Sequence, residues 1–326
     1  MFSACKVSVR GSDHTRDGAD VPCQDYADFA DFKNGTVGIA LVADGHGSPA
    51  YFRSHHGSKL AVECAKGVIH TYLNTSMKGK SDFYAAQLDD AKIEASLKDQ
   101  ERCILEKWRS RVCEHYKEHP LDENELQHCN KYKLPTTGLT EDAIVRMYGS
   151  TLLVTVLAPE FWFHIQIGDG WTVLIKKPGQ SEGIFPYEHD QDGRADSLCQ
   201  VNAIERFKHR FGREKVLGAI SMTDGISESF PQPPQDLLYW LNNSVLDTYI
   251  YEFDTFEAQL ETVLHIRAKS YGDDCSLVIM FDNAERDKLR KTAENTEQEK
   301  ANDQSSVVQD TEKLELYGEF TNGRSF

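Results

Sequence analysis

Apolar segments that end in a carboxylate constrain what this chain can fold into more than any other feature, and four of them occur. Residues 38–47, GIALVADGHG, run through Ile39, Ala40, Leu41, Val42 and Ala43 to Asp44, then into a Gly-His-Gly turn that carries His46. The same grammar recurs in IQIGDG (165–170), AISMTDG (219–225) and GDDCSLVIM (272–280), which bring Asp169, Asp224 and the pair Asp273 and Asp274. Carboxylates gathered at the ends of buried strands cost free energy through desolvation and mutual repulsion unless hydrogen bonds or a cation compensate. A metal site is therefore the first expectation.

Local geometry strengthens it. Residues 25–32 and 36–44 are strand-like and flank Asn34-Gly35, the favoured dipeptide of a two-residue hairpin turn. In a regular hairpin centred there, position 25 faces position 44, so Asp25 and Asp44 become cross-strand neighbours on one face. Like charges so placed need something positive between them.

The 326-residue chain, 40% apolar, is long enough for a substantial core. Its formal charge of −16 argues against a nucleic-acid partner and favours cations. Eight cysteines without a CxxC pair, no leader-like N-terminus and no membrane-length apolar run predict a cytoplasmic protein with free thiols and no membrane association.

Helical spacing predicts helices over 50–73 and, capped by Ser81, over 81–118, while 120–148 shows no clear pattern. Strands are expected at 150–157, 161–167, 171–175, 216–222 and 275–281, with a loop at 178–200 and a short helix at 201–211. Asp254, with Glu257 three residues on, reads as the cap of a helix that stops near Gly272. Antiparallel pairing of 216–222 with 275–281 would bring Asp224 to Asp274. The fold class is α+β, an antiparallel β-sandwich flanked by helical layers. Residues 1–283 form the expected domain, 81–148 is a segment suited to substrate or partner selection, and 284–326 is a polar, mobile extension.

Asp25, Asp44, Asp169, Asp224 and Asp274 make an all-oxygen donor set that selects Mg²⁺ or Mn²⁺ over zinc. Two such ions can share a bridging water, lower its pKa and clamp a phosphoryl oxygen, the chemistry of phosphate-ester hydrolysis. Gly45 lets a backbone carbonyl approach a metal, His46 can protonate a leaving oxygen, and Arg16 can bind phosphate through bidentate hydrogen bonds. The cluster Cys113, His115, His119, His128 and Cys129 matches no standard zinc spacing and reads as a polar helix end.

The ordered set CQD, VADGHG, YGSTL, IGDG, MTDG and GDDCSLV, spread over residues 3–283, resembles the metal-dependent protein phosphatase 2C family, and SDHTRDGADVPCQD resembles its compact bacterial branch. The resemblance implies a serine/threonine phosphoprotein phosphatase that opposes a kinase and carries two Mg²⁺ or Mn²⁺ ions with a weaker third. It implies that Asp44 bridges both metals, that Gly45 binds through its carbonyl, and that Asp224 and Asp274 hold the first metal. Asp25 would act at the second metal through water, Asp169 with Asp224 would support the third, and His46 would be the general acid. Two departures stand out. Gln24-Asp25 replaces a frequent Glu-Asp, and Arg16 lies further from that pair than the family's phosphate-binding arginine, which leaves His14 and Arg53 as alternatives for the phosphate. A phosphoprotein-binding pseudophosphatase and a hydrolase of small phosphate esters are the competing readings.

Overall fold

The structure, a computed structural model, describes residues 1–13, 15, 16, 19–76, 88–188 and 195–295, and of 15, 16, 19 and 20 the backbone alone. Two five-stranded antiparallel sheets dominate it. The first contains, in spatial order, β1 (Phe2–Val9), β12 (Cys275–Asp282), β11 (Gly218–Met222), β8 (Trp171–Lys177) and β9 (Gln180–Gly183). The second runs β10 (Lys208–Gly212), β7 (Phe161–Ile167), β6 (Leu152–Ala158), β5 (Val37–Ala43) and β4 (Tyr26–Phe32). A two-residue ribbon, β2 (Thr15–Arg16) with β3 (Ala19–Asp20), stands apart.

The register of the β4–β5 hairpin is set by its turn. Thr36 N–H donates to the Lys33 carbonyl at 3.3 Å, and Asn34 and Gly35 take φ of 57° and 77°, the left-handed pair a tight hairpin turn demands. Tyr26 consequently faces Ala43, and Asp25 and Asp44 leave the ladder together at its far end.

Both faces of the second sheet are covered, which explains why its central strands read as continuous apolar runs. Ile39, Leu41, Val154, Val156, Phe163 and Ile165 point to the helices, while Ala40, Val42, Leu153 and Leu157 meet Leu174, Ala219, Val278 and Met280 of the other sheet. Within the sandwich lies a buried polar chain. Thr155 Oγ1 is 2.9 Å from His164 Nδ1 and 3.2 Å from Ser221 Oγ, and His164 Nε2 is 3.0 Å from Gln166 Oε1. Burial pushes the His164 pKa down to about 4, so a neutral imidazole occupies this position.

The helical layer is built from α1 (Ser54–Ser76), α2 (Asp90–Glu118), α3 (Glu123–Tyr132) and α4 (Glu141–Met147). Asp89 caps α2, whereas the expected cap, Ser81, lies outside the described residues. The stretch 120–148, patternless in apolar spacing, is ordered by polar signals: Asp122 and Glu125 form a reciprocal capping box, and Thr140 caps α4. On the other side α5 (Asp224–Ser227), α6 (Gln235–Trp240), α7 (Leu246–Tyr251) and α8 (Phe253–Tyr271) follow β11.

Three local expectations are corrected. Residues 208–212 form strand β10 on β7, after a single turn of 3₁₀ helix at Ala203–Glu205, because Phe207 and Phe211 turn to the core with polar residues between them. The 178–200 stretch contains β9. Asp254 falls inside the first turn of α8 rather than at its cap, though the helix does end at Gly272.

The chain divides into a compact unit, Met1–Asp282, and a second, Asn283–Phe326, whose described part is a helix over 283–295. All eight cysteines are free thiols, and among the described residues no helix is long and apolar enough to cross a membrane.

One ionic contact ties β10 to α2. His209 places its ring nitrogens 2.6 Å from carboxylate oxygens of both Glu101 and Glu94, and the bond to Glu101, ahead of the one to Glu94, raises its pKa above 6.5. That stabilisation is complete below the unfolded value and is lost as pH rises through the raised folded value. Urea unfolding of wild type and His209→Gln should differ by about 1.5–3 kcal/mol near pH ~6 and by less near pH ~9.

Candidate metal centre

The DGHG turn is held by the segment that precedes β6. Asp44 N–H donates to Thr151 Oγ1 at 2.9 Å, Thr151 N–H donates to the Asp44 carbonyl at 2.8 Å, and His46 N–H donates to the Gly149 carbonyl at 3.2 Å. Gly45 bridges to Ser150 between them. Only glycine fits at 45, where a Cβ would stand 2.5 Å from the Gln24 carbonyl oxygen and 2.9 Å from that of Ser54. Gln24 completes the clasp: its side-chain amide donates to the His46 carbonyl at 3.1 Å and to Ser54 Oγ. A glutamate could not donate these bonds, which gives the departure at Gln24 a structural purpose.

The other carboxylates arrive from neighbouring strand ends. Asp224 opens α5 directly after β11. Beside it, the Thr223 hydroxyl donates to Asp25 Oδ2 at 2.7 Å and accepts the Ser276 N–H at 3.0 Å. Asp169 sits between β7 and β8, where the Gln166 amide donates to the carbonyls of Gly168 at 2.9 Å and Gly170 at 2.8 Å. The polar chain inside the sandwich thus terminates on the loop that aims Asp169.

Asp44, Asp169 and Asp224 each present an atom within 4.8 Å of the others. Burial, then the charge of Asp224, then that of Asp25, holds the Asp44 carboxyl well above its ordinary range. Asp25 is raised by burial and by Asp274 and Asp273, and Asp224 by burial, with Asp273 adding to it. Such a group is stable either protonated or around a cation. Hard oxygen donors, partly buried and without a cysteine or histidine among them, fit Mg²⁺ or Mn²⁺.

Asp274 does not join this group. Its two oxygens accept the backbone N–H of Gly11 at 2.7 Å and of Gln24 at 2.5 Å, so its carboxylate pins the N-terminal segment. The pairing of β11 with β12 sets Met222 opposite Leu277, and one residue further the Thr223 N–H donates to the Ser276 carbonyl at 3.0 Å. Beyond it the charge of Asp273 acts on Asp44, Asp224 and Asp25, whereas that of Asp274 acts on Asp25. The single-residue distinction was invisible in the sequence, where either aspartate satisfies the pattern.

Arg53 is likewise reassigned. It is 4% exposed, and all five N–H donors are used: Nε and Nη2 on Glu125 at 2.6 and 2.5 Å, Nη1 on the His119 carbonyl and Tyr148 hydroxyl, each at 2.8 Å, and Nη2 on the Pro120 carbonyl at 3.3 Å. It fastens the α2–α3 connection to α1 and has no donor left for phosphate. His14 and the Arg16 side chain lie outside the described residues. The His46 ring lies 4.9 Å from that of Tyr51, and burial pushes its pKa down to about 4. The cluster of cysteines and histidines over 113–129 lies at the end of α2 and on α3: Cys129 is core, His128 Nε2 is 2.8 Å from the Pro49 carbonyl, and the His115 and His119 rings lie 4.6 Å apart, tilted by 44°.

Residues 10–265 match the family described as Protein phosphatase 2C. No curated protein matches the chain by sequence. Among solved structures, a variant of a bacterial serine phosphatase aligns at 11% identity and TM-score 0.53, covering 87% of this chain and 99% of its own. The serine/threonine phosphatase Stp1 from Staphylococcus aureus aligns at 12% identity and TM-score 0.52, covering 87% and 96%. The S. agalactiae serine/threonine phosphatase aligns at 13% and 0.51, covering 86% and 99%.

Removing Arg53 would strand the Glu125 carboxylate. Arg53→Ala is expected to destabilise the protein by about 3–5 kcal/mol in urea unfolding; a loss of ligand affinity at unchanged stability would contradict its reassignment.

Proposed function

Because this chain belongs to the protein phosphatase 2C family of metal-dependent serine/threonine phosphatases, we propose that its carboxylate cluster is the catalytic centre of a phosphoserine/phosphothreonine phosphatase in which Asp273 takes the part first expected of Asp274. The observation that carries this reading is the convergence of Asp44, Asp169 and Asp224 within 4.8 Å at the ends of three separate strands. On this reading Asp44, Asp224 and Asp273 with the Gly45 carbonyl hold the ions, two Mg²⁺ or Mn²⁺ with a weaker third that Asp169 and Asp224 share, and Asp25 acts from the outer side. The ions supply Lewis-acid polarisation of the phosphoryl group and a water of lowered pKa.

The protein's own groups supply position and protons. The clasp of Gln24, Thr151 and Gly149 fixes Asp44 and His46 relative to each other. On the same reading His46 would hand a proton to the departing serine or threonine oxygen, directly or through water. Phosphate orientation falls to Arg16, with His14 as the alternative. Phosphoproteins are the substrates of the family, and we place this member opposite a serine/threonine kinase. The eight free thiols support a reducing, cytoplasmic setting, and the charge of −16 supports the absence of nucleic-acid partners. The catalytic domain is taken as 1–283 and 284–326 as an appended extension.

The test is hydrolysis of p-nitrophenyl phosphate and of a phosphothreonine peptide by metal-stripped protein titrated with Mn²⁺ and Mg²⁺. Asp44→Asn and Asp224→Asn should lower turnover by at least about 10²-fold, and Asp273→Asn should shift the Mn²⁺ titration to higher concentration. Asp274→Asn, which sets an amide against a backbone N–H, should instead lower the urea midpoint. Metal binding without turnover of either substrate would turn the reading to a phosphoprotein-binding pseudophosphatase; turnover of nucleotides in preference to the peptide would turn it to a small-ester hydrolase.

A further inference from the structure

At Tyr51 opens a cleft of 460 Å³ whose walls include Ala50, Phe52, Leu134, Ala143, Met147 and Val201. Its volume is that of a site for one or two large side chains. Tyr51 links this cleft to the DGHG turn: it lines the cleft, its ring lies 4.9 Å from the His46 ring, and the Arg146 guanidinium lies 5.9 Å over it. The cleft is assembled from the turn at 50–52 that follows DGHG, from the connection after α3, from α4 and from residues 199–201, so a ligand in it contacts the 120–148 segment and the turn that follows the DGHG loop together.

Its charge is specific. Arg146 is exposed and makes no ion pair among the described residues, whereas the nearby Asp142 carboxylate is taken by Arg109. In a chain of net charge −16, an exposed cation on the cleft wall selects an anion. We propose that this cleft seats the substrate polypeptide beside its phosphorylated residue, an apolar side chain entering the cavity and an acidic side chain pairing with Arg146. The inference rests on the phosphatase reading above and deepens it by naming the sequence class. An extended peptide advances about 3.3 Å per residue, so side chains two and three positions from the phosphorylated one stand about 7–10 Å along it.

The experiment uses the full chain with Mn²⁺ and fluorescent peptides bearing a non-hydrolysable phosphonate in place of the phosphothreonine ester. One peptide carries Leu and Glu about two and three residues from that position, before it in one version and after it in another; one control replaces Leu by Ala, a second replaces Glu by Lys, and a third replaces both. Anisotropy is expected to show the Leu/Glu peptide binding about tenfold tighter in one of the two versions. Arg146→Glu should reverse the Glu-over-Lys preference, and Ala143→Trp, which fills the cavity, should remove the preference for Leu. Equal affinities in wild type, or preferences unchanged in both variants, overturn the proposal. Hydrolysis of p-nitrophenyl phosphate by the wild type reports separately on the phosphatase reading. Hydrolysis without peptide preference overturns the cleft assignment alone, whereas preference without hydrolysis upholds the cleft and overturns the catalytic reading.

Discussion

Mutual repulsion among buried carboxylates is the constraint around which this molecule is arranged. Asp44, Asp169 and Asp224 converge, and Asp25 and Asp273 stand close enough to raise the proton affinity of the group further. Only protons or cations relieve such a cluster, and cations do so only if the donors stay put when charged. The surrounding hydrogen bonds serve that end. Asp25 is fixed by a hydroxyl, Asp44 by its backbone on Thr151, and the Asp169 loop by an amide rooted in the sandwich interior.

The two sheets make this rigidity affordable. Covered on both faces, the β5–β6–β7 strands exclude water along their length and release their carboxylates only at the ends. Inside the sandwich, where an unsatisfied polar atom would be costly, His164 and Gln166 are bonded in sequence and carry that order outward to Gly168 and Gly170. Arg53 plays the equivalent part for the helical side. By directing every donor to α3, Tyr148 and the α2 terminus, it couples the segment without apolar periodicity to the helix that follows the DGHG turn.

Some elements could be read from the chain because their causes are local. Asn34-Gly35 sets a left-handed turn, the turn sets the register, and the register brings Asp25 and Asp44 to one end. Strand-end aspartates and the DGHG glycine follow from the same short-range logic. The α3 capping box was equally local, present in Asp122 and Glu125, but is drawn from polar residues rather than from apolar spacing. β10 escaped because a five-residue strand and a helical turn share the apolar spacing of Phe207 and Phe211.

What the sequence by itself determined is the α+β sandwich, the metal chemistry and the strand ends that carry it, since these follow from periodicity, turn chemistry and the cost of grouped charge. What only the tertiary structure decided is which side chain each position aims where. Asp273 and Asp274 differ by one residue, yet the Asp274 carboxylate is bound by the Gly11 and Gln24 N–H groups while the charge of Asp273 acts on Asp44 and Asp224. Arg53 is drawn from the phosphate to Glu125 by a helix 72 residues away in the chain. Tyr51 and Arg146 come together only when α4 packs beside the turn after DGHG. Contacts between distant segments have no local signature, because their energy is realised only after the chain has closed the loops that separate them.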